Sequence, residues 1–262
     1  MAILKDRYVL HELVRKRVKT QYRNSFLGMF WTILNPLLNM LVMWVVFKQF
    51  FGRNDPLYPV YLLTGNVLFG CLRGATDGSL SSVVGNRGLL TRVKIEPYLF
   101  PLSSTLSAFV SMVFSMAALL IIMLGIQIFG GYSLFHLRML TVLLMIPAFI
   151  LFEYGIGLFL SALYVFFRDI KYLYHVFLTL WSYVTPIFYK PEAMISTGSF
   201  AGKIVKLNPM YYFVRFFRDA MYMGWSEYPV QDLVVLYGLG FVSVIIGVTV
   251  FKSLKKHFMT NL

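Results

Sequence analysis

The stretch PYLFPLSSTLSAFVSMVFSMAALLIIMLGIQIFGGYSLFHL, residues 97–137, contains no Asp, Glu, Lys or Arg. A helix needs about 20 apolar residues to cross the hydrocarbon core of a bilayer, so this segment is long enough to span and then turn. The same gap in charge recurs on either side of it. Residues 24–47, 56–72, 172–189 and 233–251 also lack all four residue types, and 139–167 holds only Glu153. A soluble chain of this length would not keep 58% hydrophobic and only 13% charged residues. The pattern predicts an all-α integral membrane protein with six spans, at about 28–50, 58–80, 98–125, 139–164, 171–189 and 232–251.

Six spans use roughly half of the chain and leave no room for a separate soluble enzyme domain. The single cysteine, Cys71, excludes an intrachain disulfide and argues against a cysteine metal cluster. The net charge of +13 reads as topology and not as nucleic-acid binding, because no soluble domain carries the basic residues.

Residues 1–27 form a unit of their own, an amphipathic interfacial helix, with the six-span domain at 28–262. Leu10, Val14, Val18 and Tyr22 recur every fourth residue and Leu13 widens the stripe, while Arg15, Lys16, Lys19 and Arg23 lie elsewhere on the wheel. Such a helix rests in the membrane interface. The apolar stretch that follows is too long for the core of a secretory signal, so it is expected to stay as the first span. Asn35-Pro36 should kink that span. Gly70, Gly74 and Gly78 recur every fourth residue in the second span and bare its backbone for close helix contact, within the chain or at a dimer seam.

The connections differ in length. A basic loop holds Arg87, Arg92 and Lys94, and a very short polar hinge is formed by Arg168, Asp169, Ile170 and Lys171. The longest connection, from Lys190 to Asp232, contains aromatic pieces such as residues 210–213, too short to span, and predicts re-entrant or interfacial helices. With both termini in the cytoplasm, 15 Lys and Arg lie inside and eight outside, five of the eight in the long connection. The positive-inside rule therefore places both termini in the cytoplasm.

Motifs for catalysis are missing. The only Gly-Lys pair, Gly202-Lys203, lacks the other positions of a nucleotide loop, and His11-Glu12 has Arg15 where a zinc motif needs its second histidine. No catalytic residue, metal site or cofactor site is assigned, so uphill transport needs another subunit or an ion gradient. Arg73 and Asp77, four apart, can pair or line a polar passage, and Glu153 sits mid-span. Charges at that depth point to function, with a structural ion pair between spans as the alternative. Among 46 aromatic residues, Trp31, Trp44, Phe69, Trp181 and Tyr183 are candidates to line a passage. Aromatic faces stack on sugar rings, and ordinary packing is the competing explanation.

Several segments taken in order resemble one family, the membrane subunits of ABC exporters for O-antigen, capsule and teichoic acid. They are residues 22–28 with Trp31 and Asn35-Pro36; residues 61–65; Pro101-Leu102-Ser103-Ser104; residues 165–170; Pro186-Ile187-Phe188-Tyr189; Leu207-Asn208-Pro209; and Phe217-Arg218-Asp219. Tyr164 stands where members often carry Asn. The resemblance implies a permease of the bacterial plasma membrane that exports a lipid-linked polysaccharide and is not itself an enzyme. It implies a second copy of the chain and two cytoplasmic ATP-binding cassette subunits that hold ATP and Mg. It implies ATPase contact through the N-terminal helix and the two cytoplasmic loops, here Arg92, Lys94, Glu96, Arg168, Asp169 and Lys171. It also implies an exit shaped by re-entrant helices, here Asn208, Pro209, Arg218 and Asp219. Besides lipid and glycan, no nucleic acid is implied. An ABC exporter of a drug or lipid would share the fold and differ in its genomic neighbours. An ion-coupled transporter would need an inverted repeat and midplane ionisable groups. A membrane enzyme would need a clustered catalytic constellation.

Overall fold

The computed structural model describes residues 2–21, 28–51, 55–93, 95–224, 229–255 and 258, and every regular element among them is helical. Six long helices alternate with short ones. α1 is Ala2–Gln21, α2 Trp31–Phe51, and α3 Tyr58–Leu80; α4 (Ser82–Gly85) and α5 (Arg87–Arg92) make up the basic loop. α6 is Leu99–Gly130, α7 Val142–Phe166 and α8 Ile170–Val184. α9 (Glu192–Ser196), α10 (Phe200–Leu207) and α11 (Pro209–Arg218) fill the long connection, and α11 runs on as a π-helical turn, Asp219–Met223. α12 is Pro229–Lys255. Lys94, Tyr22, Arg23, Arg53, Lys256 and the rest of 22–27 lie outside the described residues.

Among the described residues, four stretches are long and apolar enough to cross a membrane: Trp31–Gln49, Leu99–Gly130, Leu137–Phe166 and Val230–Lys255. Their outward sides carry exposed apolar residues such as Leu41, Ile121, Leu124, Leu143, Phe241 and Ile245. α6 is longer than expected from 98–125. Its 32 residues rise about 48 Å, and it stops where Gly131 takes a left-handed φ of 70° that suits a helix end. α8 corrects the expected span at 171–189. It has only 15 residues, because Pro186 cannot continue the helix and biases Thr185 towards extended backbone.

α3 is the centre of the bundle. Sixteen of its 23 residues are buried, against α6, α7 and α2, with α8 and α11 at its flanks. Protein and not lipid surrounds it, so it tolerates Thr64, Thr76 and Ser79, each fully buried and each hydrogen-bonded to a backbone carbonyl.

α2 continues through Pro36. Proline has no N–H to give the carbonyl four residues back, that of Thr32. Ser115 of α6 donates to that carbonyl at 3.2 Å, so the vacancy left by the proline becomes a tie between helices. α7 and α12 form the tightest pair. A Cβ on Gly155 would strike the Ser243 backbone, and one on Gly247 would strike the Gly155 carbonyl. Ser243 Oγ donates to the Phe152 carbonyl at 2.8 Å. Small residues bring backbones into contact where the hydrophobic effect between helices is absent.

Candidate functional site: a polar cavity along the bundle

A cavity of about 1030 Å³ runs between α1, α2, α3 and α6, from Lys16 and Asn86 at one end to Ile187 and Phe188 at the other. Its wall sets a line of polar side chains among apolar ones such as Val67, Phe69 and Met112. Ser103, Ser107, Ser111 and Ser115 come from one face of α6, Asn35 and Asn39 from α2, and Asn66 from α3. Spacing of four puts the serines in a row. Ser103, Ser107 and Ser111 each donate to a carbonyl three or four residues back, as Ser107 does to Ser103 at 2.6 Å, which leaves their lone pairs to accept, while the one proton of Ser115 is shared between the carbonyls of Ser111 and Thr32. The side-chain amides of Asn35, Asn39 and Asn66 have no hydrogen-bond partner among the described residues.

The end beside α1 is cationic. Arg17 reaches from α1 into the α3–α6 contact, donating to Ser104 Oγ at 2.6 Å and to the Gly78 carbonyl at 2.8 Å. A Cβ at position 78 would overlap that guanidinium, so the glycine is what admits it. Burial lowers the Arg17 pKa from its ordinary value, and the Asp77 charge opposes the shift. The sequence reading had placed neighbours of Arg17 on the polar face and not singled it out. A basic residue set among apolar positions of an amphipathic helix was the available signal.

Arg73 and Asp77 both line the cavity, but they do not pair. Asp77 Oδ1 lies 3.4 Å from His175 Nε2 on α8, and Arg73 lies 5.7 Å from the centre of the Phe69 ring. Among the described residues no carboxylate comes within ion-pair distance of Arg73. Glu153 corrects both expectations held for it. It is fully buried behind the cavity wall, with Oε2 3.6 Å from Cys71 Sγ and Oε1 without a partner. It neither forms an ion pair among the described residues nor faces the passage.

The five candidate aromatics separate. Trp31 and Phe69 line the cavity. Trp181 does not: it is buried between Phe69, Phe152 and Phe177, and its Nε1 donates to Asn208 Oδ1 at 2.7 Å. Trp44 sits beneath Lys48, 4.9 Å from the ring centre, and Tyr183 is exposed beside Phe188. An indole among aromatics packs as readily as it stacks on a ligand, and composition alone does not separate the two.

The residues expected to shape an exit share a buried hydrogen-bonded network. Asn208 is buried, caps α11 by accepting from Met210 N at 3.0 Å, and donates to Thr185 Oγ1 at 2.9 Å. Pro209 opens α11, where a missing N–H costs nothing. Arg218, 3% exposed, donates to the carbonyls of Pro186 at 2.7 Å, Tyr61 at 3.0 Å and Ile187 at 3.3 Å, and to Thr64 Oγ1 at 3.3 Å. Its Cζ lies 3.4 Å from the centre of the Tyr61 ring. Tyr58 donates to the Phe188 carbonyl at 2.8 Å, and Tyr61 to that of Tyr189. The four carbonyls after α8 are thus satisfied, the first two by a cation, the charge a helix C-terminus favours. Asp219 is 3.7 Å from Arg215, and burial raises its pKa to about 6 against the pull of that arginine.

The loops expected to meet an ATPase lie at one end. Val83 of α4, Leu158, Ala162 and Val165 of α7, Phe251 and Phe258 form a second apolar cluster, with Leu90 and Tyr98 packed against it. Glu96 is bound to Lys255 and Tyr98 to Asp6 of α1 at 3.3 Å. Arg92, Arg168, Asp169 and Lys171 remain exposed. Arg168 lies 5.6 Å from the centre of the Tyr164 ring, so this tyrosine supports the hinge arginine by a cation–π contact.

A helical bundle apolar outside and polar along an internal hollow has the build of a membrane transport subunit. The chain belongs to the ABC-2 type transporter family, which it matches over residues 8–222. It is 29% identical over 259 residues to the O-antigen export system permease protein RfbA of Myxococcus xanthus, covering 98% of this chain and 96% of that protein. It is 24% identical over 247 residues to the RfbA permease of Klebsiella pneumoniae, covering 94% and 92%. It is 22% identical over 268 residues to the polysialic acid transport protein KpsM of Escherichia coli, covering 98% and 97%.

Proposed function

We propose that this protein is the permease subunit of an ATP-driven exporter that carries a lipid-linked cell-surface polysaccharide outward across the bacterial plasma membrane. The observation that carries this reading is the cavity, whose wall sets serine hydroxyls and unpartnered asparagine amides among apolar and aromatic side chains. A hydroxyl-rich polymer leaves many polar groups unsatisfied in hydrocarbon, and such a wall replaces the lost water. End-to-end similarity to permeases named for O-antigen and polysialic acid supports the same cargo class. An ion-coupled carrier is disfavoured because Glu153 lies off the cavity.

In this reading α2, α3, α6, α7, α8 and α12 are the six spans, both termini are cytoplasmic, and α9 to α11 are re-entrant on the outer side. Two copies assemble with two ATPase subunits that hold ATP and Mg, contacting them through α1, Arg92, Lys94, Glu96, Arg168, Asp169 and Lys171. Energy must come from such a partner, because a lined passage has no direction of its own. Co-expression with the ATPase encoded beside it should give a stable complex and glycan export that stops when the ATPase's catalytic carboxylate is neutralised. Charge reversal at Asp169 should lower ATPase coupling without loss of the complex. Export by this chain alone, abolished by collapsing the proton gradient, would refute the proposal.

A further inference from the structure

We infer that α10 is an anchor on the membrane surface, lying along the outer leaflet with Phe200, Ile204 and Leu207 among the acyl chains and Lys203 and Lys206 on the phosphates of anionic phospholipids; this rests on the placement of the long connection on the outer side proposed above. The three apolar residues stand at i, i+4 and i+7 and form one stripe. Phe200 is 79% exposed, Leu207 82% and Ile204 36%. The opposite side is packed. Gly202 and Val205 are buried there, and a Cβ on Gly202 would strike the Met194 carbonyl of α9. The stripe cannot turn inward, because both ends of α10 are fastened. Ser199 Oγ accepts from Gly202 N at 3.2 Å and donates to the Met194 carbonyl at 3.0 Å. Asn208 N donates to the Val205 carbonyl at 3.1 Å, and the Tyr212 hydroxyl to that of Lys206 at 2.9 Å.

A fixed apolar ridge that faces outward marks contact with lipid or with another protein, and the lysines decide for lipid. They stand at i and i+3 on the flank between the stripe and the buried side, and both are exposed. Among the described residues no carboxylate comes within ion-pair distance of either. The other three basic residues of this connection are engaged: Lys190 with Asp55, Arg215 with Asp219 and Asp232, and Arg218 with backbone carbonyls. An apolar stripe flanked by free lysines is the build of a helix that rests on an anionic bilayer. Eight residues make about 12 Å of helix, too little to cross the hydrocarbon core. Each lysine at such a surface favours anionic over neutral head groups by about fivefold.

The test uses the full chain with its ATPase in nanodiscs of phosphatidylcholine and phosphatidylglycerol. Cys71→Ser removes the native thiol, and Phe200→Cys, Lys203→Cys, Ile204→Cys, Lys206→Cys or Leu207→Cys carries a nitroxide. Oxygen, which concentrates in hydrocarbon, should relax the labels at 200, 204 and 207 more than a water-soluble nickel chelate does, with the reverse at 203 and 206. Nickel dominant at all five positions means an aqueous α10, and both relaxants excluded from 200, 204 and 207 means a covering protein; either overturns the anchor. Head-group preference is read with a fluorophore on Leu207→Cys. It should be quenched several-fold more by phosphatidylglycerol with a nitroxide on its acyl chain than by the phosphatidylcholine analogue at equal mole fraction. Lys203→Gln together with Lys206→Gln should abolish that preference. Equal quenching in the parent, or a preference that survives the double replacement, overturns α10 as an anionic-lipid site. A membrane-impermeant maleimide that reaches Lys203→Cys only from the cytoplasmic side refutes the outer placement and the anchor with it. Labelling from outside with an aqueous depth pattern refutes the anchor alone and leaves the export reading standing.

Discussion

Replacing Arg218 with methionine tests whether the packing of α11 and the segment after α8 on α3 is held by one buried cation. The substitution keeps the apolar stem and removes every donor. It removes the guanidinium's hydrogen bonds to the carbonyls of Tyr61, Pro186 and Ile187 and its contact with the Tyr61 ring, leaving the Pro186 carbonyl to the Tyr61 hydroxyl at 3.2 Å and the Tyr61 carbonyl to Thr64 Oγ1 at 2.9 Å. A hydrogen bond to a charged group contributes about 1.5–3 kcal/mol, so three come to roughly 5–9 kcal/mol. Against this stands the relief of no longer burying a charge, several kcal/mol by itself. The net expected loss is about 2–5 kcal/mol, in line with what breaking a buried charged network usually costs. For a chain of this size each kcal/mol lowers the melting temperature by about 2–4 °C. Heating the detergent-solubilised protein and following the soluble peak by size exclusion should therefore show a drop of roughly 5–15 °C. Arg218→Lys keeps the charge but has one nitrogen in place of the fork, and should fall between. If Arg218→Met melts with the parent while export fails, Arg218 is an exit residue after all, and the clamp argued here is wrong.

Two further outcomes are expected. Gly78→Val places a side chain where the Arg17 guanidinium sits and should free α1 from α3 and α6, with the loss of two charge-assisted hydrogen bonds; amide exchange across Ala2–Gln21 should rise at least tenfold, and unchanged exchange there would disprove the anchor. The carboxyl of Asp219 titrates near 6 in the folded protein against an ordinary 3.8. The folded state therefore binds the proton more tightly, and stability contributed by this group falls as pH rises from about 4 to 6. Asp219→Asn should flatten that part of the stability–pH curve, and a parallel slope in parent and variant would exclude Asp219 as its source.

The helical membrane character is legible in the sequence, because a helix satisfies the backbone of an apolar stretch long enough to span. The sequence also shows the first helix, the basic loop and the broken connection before α12. These are local properties, set by periodicity, proline and charge within a few residues. It could not show where α8 ends by hydropathy alone, since residues 172–189 stay uncharged past the proline that stops the helix. Tertiary structure decided which polar residues meet. Arg73 and Asp77 share a helix face, yet Asp77 turns to His175 of α8 and Arg73 to the cavity. Trp181, expected in a passage, and Asn208 and Arg218, expected at an exit, meet in one buried network that ties α8, α11 and the segment between α8 and α9 to one another and to α3. The row of serines on α6 and the asparagines of α2 and α3 were each visible in the sequence. Only packing three helices against α1 turned them into one wall, because a cavity belongs to the space between elements and has no signature within any one of them.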